Sequence, residues 1–253
     1  MSDNSELVKY VLRLGDDSLI IGQRLIEWCS NAPFLEEDLA LSNTSLDFIG
    51  RARFFYGYAA TLCGDGKTED DFAFTRDCRD FSNCLIYELP KGDFAFTYVR
   101  QFFIDAYDVL FFAALQSSND EQLVAIANKA IKESRYHLRH SSEWMRRLGD
   151  GTDESNRRLQ IAVNDIADFI GELFEVDDVL ERLIADGIAV DPRLFKEQWQ
   201  ATVDSVFEQA KVSLPAPADW HQTGGRNGNH TEHLGHLLSE LQFMQRAYPG
   251  LEW

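Results

Sequence analysis

The residues whose types and spacing could do chemistry are acids and histidines placed along helical stretches. Two metal ions inside a helical bundle need one carboxylate on each of two helices and Glu-x-x-His on each of the other two. The reason is geometric: residues three apart share a helix side, so one can bridge the ions while the other completes a coordination shell. Asp16 and Asp17 precede Asp47 by about 30 residues, a separation that such a bundle shows. Asp47-Phe-Ile-Gly50 has the carboxylate but a glycine where the histidine belongs. Glu133-Ser-Arg-Tyr136 has a tyrosine there, with His137 one residue further on and His140 three beyond that. Asp105 aligns with Tyr98, Phe102, Val109 and Phe112 on an apolar face, and Asp108 lies beside it. The pattern leaves open which of Asp16 and Asp17 points inward.

Iron held by carboxylates alone is weakly bound and poorly set up to activate oxygen. With both histidines displaced, Asp16, Asp47, Asp105, Glu133 and His137 are read as a vestigial, metal-less pocket filled by hydrogen bonds and ion pairs, with no catalytic or metal-binding role. Two other readings stand beside it. One is an autonomous diiron or manganese oxidase built on Asp47, Asp105, Glu133 and His137; the other is ordinary helix-surface charge. In a metal-less pocket an ionised, unpaired carboxylate would be costly, so a cation one turn away (Arg51, Lys129 or His137) is expected to meet one of the acids.

These residues need long helices to carry them, and the pattern supplies four. The first spans about Glu6 to Cys29, where Leu7, Val11, Leu14, Ser18, Ile21, Leu25 and Trp28 recur at spacings of four and three. The second, about Glu36 to Leu62, opens with acids that suit its dipole. Its many small residues, Gly50 and Gly57 among them, are expected to let neighbouring helices approach. The third, about Phe94 to Leu115, is apolar nearly all round, as in a buried helix, and core packing explains its aromatics. The fourth runs from about Glu121 to Leu148. A turn-rich crossover, Gly64 to Asp93, separates the second from the third, with a short helical piece near Phe81 to Glu88. This describes an all-α, ferritin-like four-helix bundle. Further helices are expected at about Asp153–Phe174, Asp177–Ala185, from Asp191-Pro192 onward, and, after a linker at Ser213–Ala218, at Thr231–Tyr248 with an Asn229/Glu232 capping box. The 253 residues, 45% hydrophobic, are read as one domain, 1–253.

A net charge of −18 repels phosphate backbones and anionic lipid, so nucleic acid and membranes are excluded as partners. It also disfavours coenzyme A esters binding this chain alone. Solubility accounts for the charge, as does complementarity to a more basic protein. No apolar run spans a bilayer and the N-terminus lacks a signal-peptide pattern, so a cytoplasmic protein is expected. Cys29, Cys63, Cys78 and Cys84 form no Cys-x-x-Cys pair, which argues against zinc or a disulfide framework. His230, His233 and His236 invite a metal reading, but steps of three rotate by about 60° on a helix, so the outer two diverge. Hydrogen bonding at a helix start is the better account. Thr223-Gly-Gly-Arg-Asn-Gly228 lacks phosphate-loop spacing and follows no strand; it is read as a flexible turn, with contact to coenzyme A phosphates as the alternative.

Several strings carry a family likeness. Leu12-Arg-Leu-Gly-Asp16, Gln23-Arg-Leu-Ile-Glu-Trp28, Asp71-Phe-Ala-Phe-Thr-Arg-Asp77 and Lys129-Ala-Ile-Lys-Glu-Ser-Arg-Tyr-His-Leu138 resemble the non-catalytic component of the bacterial phenylacetate-CoA oxygenase. So do Gly187-Ile-Ala-Val-Asp-Pro192, Gly228-Asn-His-Thr-Glu-His-Leu-Gly235 and the tail Pro249-Gly-Leu-Glu-Trp253. The resemblance implies a ferritin-like subunit without a working diiron centre. It would support a related catalytic subunit that holds the iron, alongside small accessory and reductase components. The reaction it implies is oxygen-dependent epoxidation of the ring of phenylacetyl-CoA.

Overall fold

In the computed structural model the described residues are 4–216 and 220–251. Met1-Ser-Asp3, the Pro217-Ala218 end of the expected linker and the Glu252-Trp253 end of the tail lie outside them. The described residues form α-helices joined by 3-10 turns and loops, with no strand among them. The helices are α1 (Asn4–Ile26), α2 (Leu35–Cys63), α3 (Glu69–Phe74), α4 (Leu85–Glu88), α5 (Phe94–Leu115) and α6 (Glu121–Gly149). They continue as α7 (Asp153–Ala167), α8 (Asp178–Ala185), α9 (Lys196–Ala210), α10 (Glu232–Leu241) and α11 (Phe243–Ala247). The four long helices, α1, α2, α5 and α6, with the crossover between the second and third, make an all-α chain consistent with a ferritin-like bundle. Among the described residues no helix is long and apolar enough to cross a membrane. The four cysteines are free, and only Cys84 is buried.

The chain divides into two compact units, residues 1–90 with 223–253, and residues 91–222. In the first, α1 and α2 pair along their lengths. Gly15 faces Tyr56, and Gly22 faces Ser45 and Ile49, so the two helices run antiparallel. A Cβ at Gly15 would sit 2.5 Å from the Tyr56 ring, and one at Gly22 would sit 2.9 Å from Ile49. The close approach therefore requires both glycines, and the Ser45 hydroxyl donates to the Gly22 carbonyl at 2.8 Å across it. The small residues in this pairing lie on both helices, Gly15 and Gly22 on α1 and Ser45, Ala52 and Ala59 on α2. Gly50 and Gly57 of α2, expected to admit a neighbour, face open space. Leu41, Phe48, Ala52, Phe55 and Ala59 form the buried side of α2.

In the second unit α5 is buried on nearly every side, as its sequence demands. Asp93 caps it by accepting from the Phe96 N–H at 2.9 Å, and Asp120 caps α6 by accepting from Leu123 at 2.9 Å. Phe94 and Tyr98 pack on Trp144 of α6, while Phe103 packs on Trp199 and Phe207 of α9. The Trp199 ring N–H donates to the Phe103 carbonyl at 3.2 Å, so this buried indole has its partner.

Three expected helices end or start elsewhere. The helix expected to reach Phe174 stops at Ala167 and gives way to a 3-10 turn at Gly171–Phe174. There His221 packs so close that a Cβ on Gly171 would lie 2.5 Å from its ring. The helix expected from Asp191 begins as a 3-10 turn, Pro192–Phe195, with Asp191 capping Arg193, and becomes α9 at Lys196. The last helix breaks at Gln242, whose buried amide donates to the carbonyls of Ala73 (3.0 Å) and Arg76 (3.1 Å). The Asn229/Glu232 box does not form: Thr231 is the N-cap, and its N–H donates to Glu88 Oε1 at 2.6 Å.

Candidate functional site

The first unit holds a buried ionic core built around consecutive acids of α1. Asp16 is fully buried and Asp17 nearly so, so both face inward. Consecutive helix positions differ by about 100°, hence each acid meets its own set of partners. Asp16 Oδ1 accepts from the Tyr56 hydroxyl at 2.6 Å and from Arg76 Nη2. Its Oδ2 accepts from Arg76 Nη1 at 3.2 Å, from the Ser82 N–H at 2.8 Å and from the Ser82 hydroxyl at 3.1 Å. The guanidinium is thus bidentate on Asp16 and also stacks 4.1 Å from the centre of the Phe81 ring. Its remaining N–H groups reach the carbonyls of Phe72 (2.7 Å) and Asp80 (3.1 Å). Burial, followed by the Asp16 charge, pushes the Tyr56 pKa well above its ordinary value, so the phenol keeps the proton it donates.

Asp17 is held by a second arginine from far along the chain. Arg226 donates to Oδ1 at 3.0 Å and Oδ2 at 2.8 Å, and the Cys84 N–H donates to Oδ1 at 2.9 Å. Arg226 Nη1 also reaches the Ser82 carbonyl at 2.9 Å. Burial outweighs this cation and raises the Asp17 pKa to about 6. The turn that carries Arg226 is packed. A Cβ on Gly228, where φ is +74°, would lie 2.4 Å from the Arg79 carbonyl oxygen. The flexible-turn reading of this loop is therefore corrected, and its arginine is occupied inside the protein.

A third buried pair lies beside these two. Glu88 accepts from the Thr231 N–H (2.6 Å) and hydroxyl (2.8 Å) and from the Asn83 amide (2.8 Å). His230 Nδ1 lies 2.7 Å from Glu88 Oε2, and its Nε2 lies 2.8 Å from the Phe81 carbonyl. Both ring nitrogens face acceptors, so the arrangement is fully satisfied only by the doubly protonated ring. Burial works against that charge, but the Glu88 hydrogen bond and charge and the Phe81 carbonyl outweigh it and raise the His230 pKa. Arg24 completes the set by donating to the backbone carbonyls of Glu88 (2.9 and 3.1 Å) and His233 (2.9 Å).

The other residues singled out in the sequence lie elsewhere. Asp47 is half-buried on α2, and the Arg51 guanidinium lies 4.6 Å over the Phe48 ring. In the second unit Asp105 is buried and accepts from Gln101 at 2.6 Å, with Asp108 also buried. His137 is buried, whereas Tyr136 is exposed and stacks on His140. Lys129, which is exposed, pairs with the half-buried Glu133 at 3.9 Å. His230 is fully engaged with Glu88 and Phe81, while His236 is exposed. Among the described residues no group of three or more His, Cys, Asp or Glu is placed to hold a metal ion.

Arg76, Tyr56, Ser82 and Arg226 were not singled out from the sequence as partners of Asp16 and Asp17. The available signal was Arg13, Asp16, Asp17 and Arg24 set among the apolar residues of one helix, where such charges imply buried counter-charges.

A family model described as phenylacetic acid catabolic protein matches residues 1–253. The C component of the 1,2-phenylacetyl-CoA epoxidase of Escherichia coli K12, one of that enzyme's subunits, is 51% identical over 249 residues, which covers 98% of this chain and 100% of that relative. The chain belongs to the phenylacetic acid catabolic protein family.

Proposed function

We propose that the chain is the structural, non-catalytic subunit of a multicomponent phenylacetyl-CoA epoxidase, and that it supports a diiron catalytic subunit in aerobic phenylacetate degradation. The observation that carries this reading is the 51% identity, along the whole length, to a relative named as a subunit of that epoxidase. The chemistry of the acids agrees with it. The lone pairs of Asp16 face Arg76, Tyr56 and Ser82, and the carboxylate of Asp17 faces Arg226 and Cys84, so neither has donor capacity left for iron. Gly50 and Tyr136 stand where two histidine ligands would be needed. The donor set in this chain does not fit a diiron centre, and no step of the oxidation is assigned to its residues.

Small accessory and reductase components complete the proposed assembly. A cytoplasmic location follows from that role and from the free cysteines. The reading of residues 1–253 as one ferritin-like domain rests on the family model, which spans them all. The test is to purify the chain alone and together with a diiron catalytic subunit of a phenylacetyl-CoA epoxidase. The expected results are less than stoichiometric iron or manganese and no epoxidation by the chain alone, and a stable hetero-oligomer by native mass spectrometry. Two tightly bound irons per isolated chain, or failure to assemble with the catalytic subunit, would overturn the proposal.

A further inference from the structure

The chain carries 42 acids against 24 lysines and arginines, so an exposed cation has ample opportunity to meet a carboxylate. Many do: Arg53 pairs with Glu69, Lys67 with Asp65, Arg157 and Arg158 with Glu154, and Arg193 with Asp191. Four exposed cations of α6 do not. Lys132, Arg135, Arg139 and Arg147 form no ion pair among the described residues. At about 100° and 1.5 Å per residue they fall within about 120° of one another, along about 22 Å of helix. The acids of this stretch are already taken, Glu133 by Lys129 and Glu143 by Arg146.

A solvated helix face interleaves both signs at spacings of three and four, and gains from it. Here Lys132 and Arg135 are three apart and Arg135 and Arg139 four apart, so like charges are neighbours and the helix loses a little stability. The fold does not account for such a stripe. Tyr136 stands in its middle, 46% exposed. The ring lies parallel to that of His140 at 6.0 Å, and the Arg139 guanidinium is 5.6 Å from its centre. An aromatic already held in this way loses little freedom when a partner covers it. Tyrosine and arginine are also the side chains on which binding energy concentrates.

The chemistry of the occupant follows from shape and charge. An outward helix face is convex, so it suits a broad surface better than a small anion, which needs a concave site. A nucleic acid or an anionic membrane brings negative charge over its whole extent and meets the net −18 of the chain. A protein whose acids are confined to one patch meets the stripe, while charges beyond about 8 Å are screened at physiological salt. Tyr136 is the one large apolar side chain exposed between Lys129 and Arg147, and so polar a face fits a transient contact rather than a permanent one. We propose that the outward face of α6 is a transient docking site for an acidic protein surface, with Lys132, Arg135, Arg139 and Arg147 as its cations and Tyr136 as its central anchor. Charge and exposure carry this site whether or not the chain is the subunit proposed above.

Fluorescence anisotropy of a labelled polyglutamate peptide of about 15 residues, titrated with the intact chain at 50 and 200 mM salt, tests it. Binding in the tens of micromolar is expected at the lower salt, weakening by ~5-fold or more at the higher. The combined Lys132→Glu, Arg135→Glu and Arg139→Glu variant should lose ~10-fold or more. A control that reverses three paired cations elsewhere (Lys67→Glu, Arg157→Glu and Arg193→Glu) changes the net charge equally and should lose far less. Glutamine at the three α6 positions disturbs the helix least and should bind between the wild type and the Glu variant. A wild type that ignores the peptide, a Gln variant that binds like the wild type, or equal losses in the α6 and control variants would overturn the proposal. So would a labelled single-stranded DNA of similar length that binds as tightly as the peptide, or displacement of the peptide by micromolar coenzyme A, because either would assign the stripe to phosphates.

Discussion

Replacing Arg226 by Met should destabilise the protein in a way that depends on pH, and the size can be worked from two contacts. The first is the hydrogen bond to the Ser82 carbonyl, whose loss costs about 1 kcal/mol at any pH. The second is the cation beside Asp17. With Arg226 present the Asp17 pKa is about 6, already raised by burial. An acid whose folded pKa exceeds its unfolded value of about 3.9 favours folding less as pH rises between the two values, and no further above the folded one. Without the arginine the folded pKa climbs, so the loss continues above pH 6 at about 1.4 kcal/mol per pH unit. If the new pKa is at or above 7.5, the charge effect at that pH is about 2 kcal/mol, which brings the total to about 3 kcal/mol. That lies at the lower edge of the cost of breaking a buried pair, about 3–5 kcal/mol. Urea denaturation of both proteins at pH 6 and pH 7.5 measures it. The difference should be about 1 kcal/mol at the lower pH and about 3 kcal/mol at the higher, by the same reasoning. A penalty equal at the two values, or one that survives unchanged in an Asp17→Asn background, would refute the argument.

Arg76→Met strips the cation from Asp16 but leaves its Tyr56 and Ser82 donors, and should cost about 3–5 kcal/mol in a urea titration; under about 1 kcal/mol would contradict the buried pair. His230→Gln should flatten the alkaline limb of stability. Because the folded His230 pKa is raised, its stabilisation is complete below the unfolded value of about 6.5 and is lost as pH rises through the folded one. Thermal melts from pH 6 to 9 that fall equally for both proteins would exclude that role. Isothermal titration of the isolated chain with phenylacetyl-CoA should show no micromolar binding, since a net charge of −18 opposes a polyanionic ester.

Helices were the legible part of the fold, because their signals are local. The apolar residues of α1 recur at spacings of four and three, and the all-round apolar run of α5 reports its burial. The breaks at Ala167 and Gln242 were not legible, since they answer to residues distant in sequence: His221 against Gly171, and the carbonyls of Ala73 and Arg76 for Gln242. The same division runs through the candidate site. Asp16 and Asp17 stood out by their separation of about 30 residues from Asp47, whereas cations were sought only one helical turn from Asp47 and Glu133, at Arg51, Lys129 and His137. The cations that hold the α1 acids come from 60 residues away, in Arg76, and 209 residues away, in Arg226. Helical periodicity carries no information at that range.

Such a core does more to fix register than to add stability. Replacing a buried ion pair by well-packed apolar residues is often neutral or stabilising, so the three pairs need a reason beyond energy. The segment after Thr223 supplies one. It places Arg226 on Asp17 and His230 on Glu88, four residues apart, with Thr231 adding two donors to the same Glu88 carboxylate. Sliding this segment by one residue would present Asn227 to Asp17 and Thr231 to the place of the imidazole, leaving both buried acids without a cation. An apolar contact tolerates such a slip at modest cost, whereas an unpaired buried carboxylate costs several kcal/mol. The ionic core therefore selects one seating of the 223–231 segment against α1 and α4, and with it the start of α10. Within this unit, acids that could have been metal ligands are instead used to hold a distant part of the chain in place.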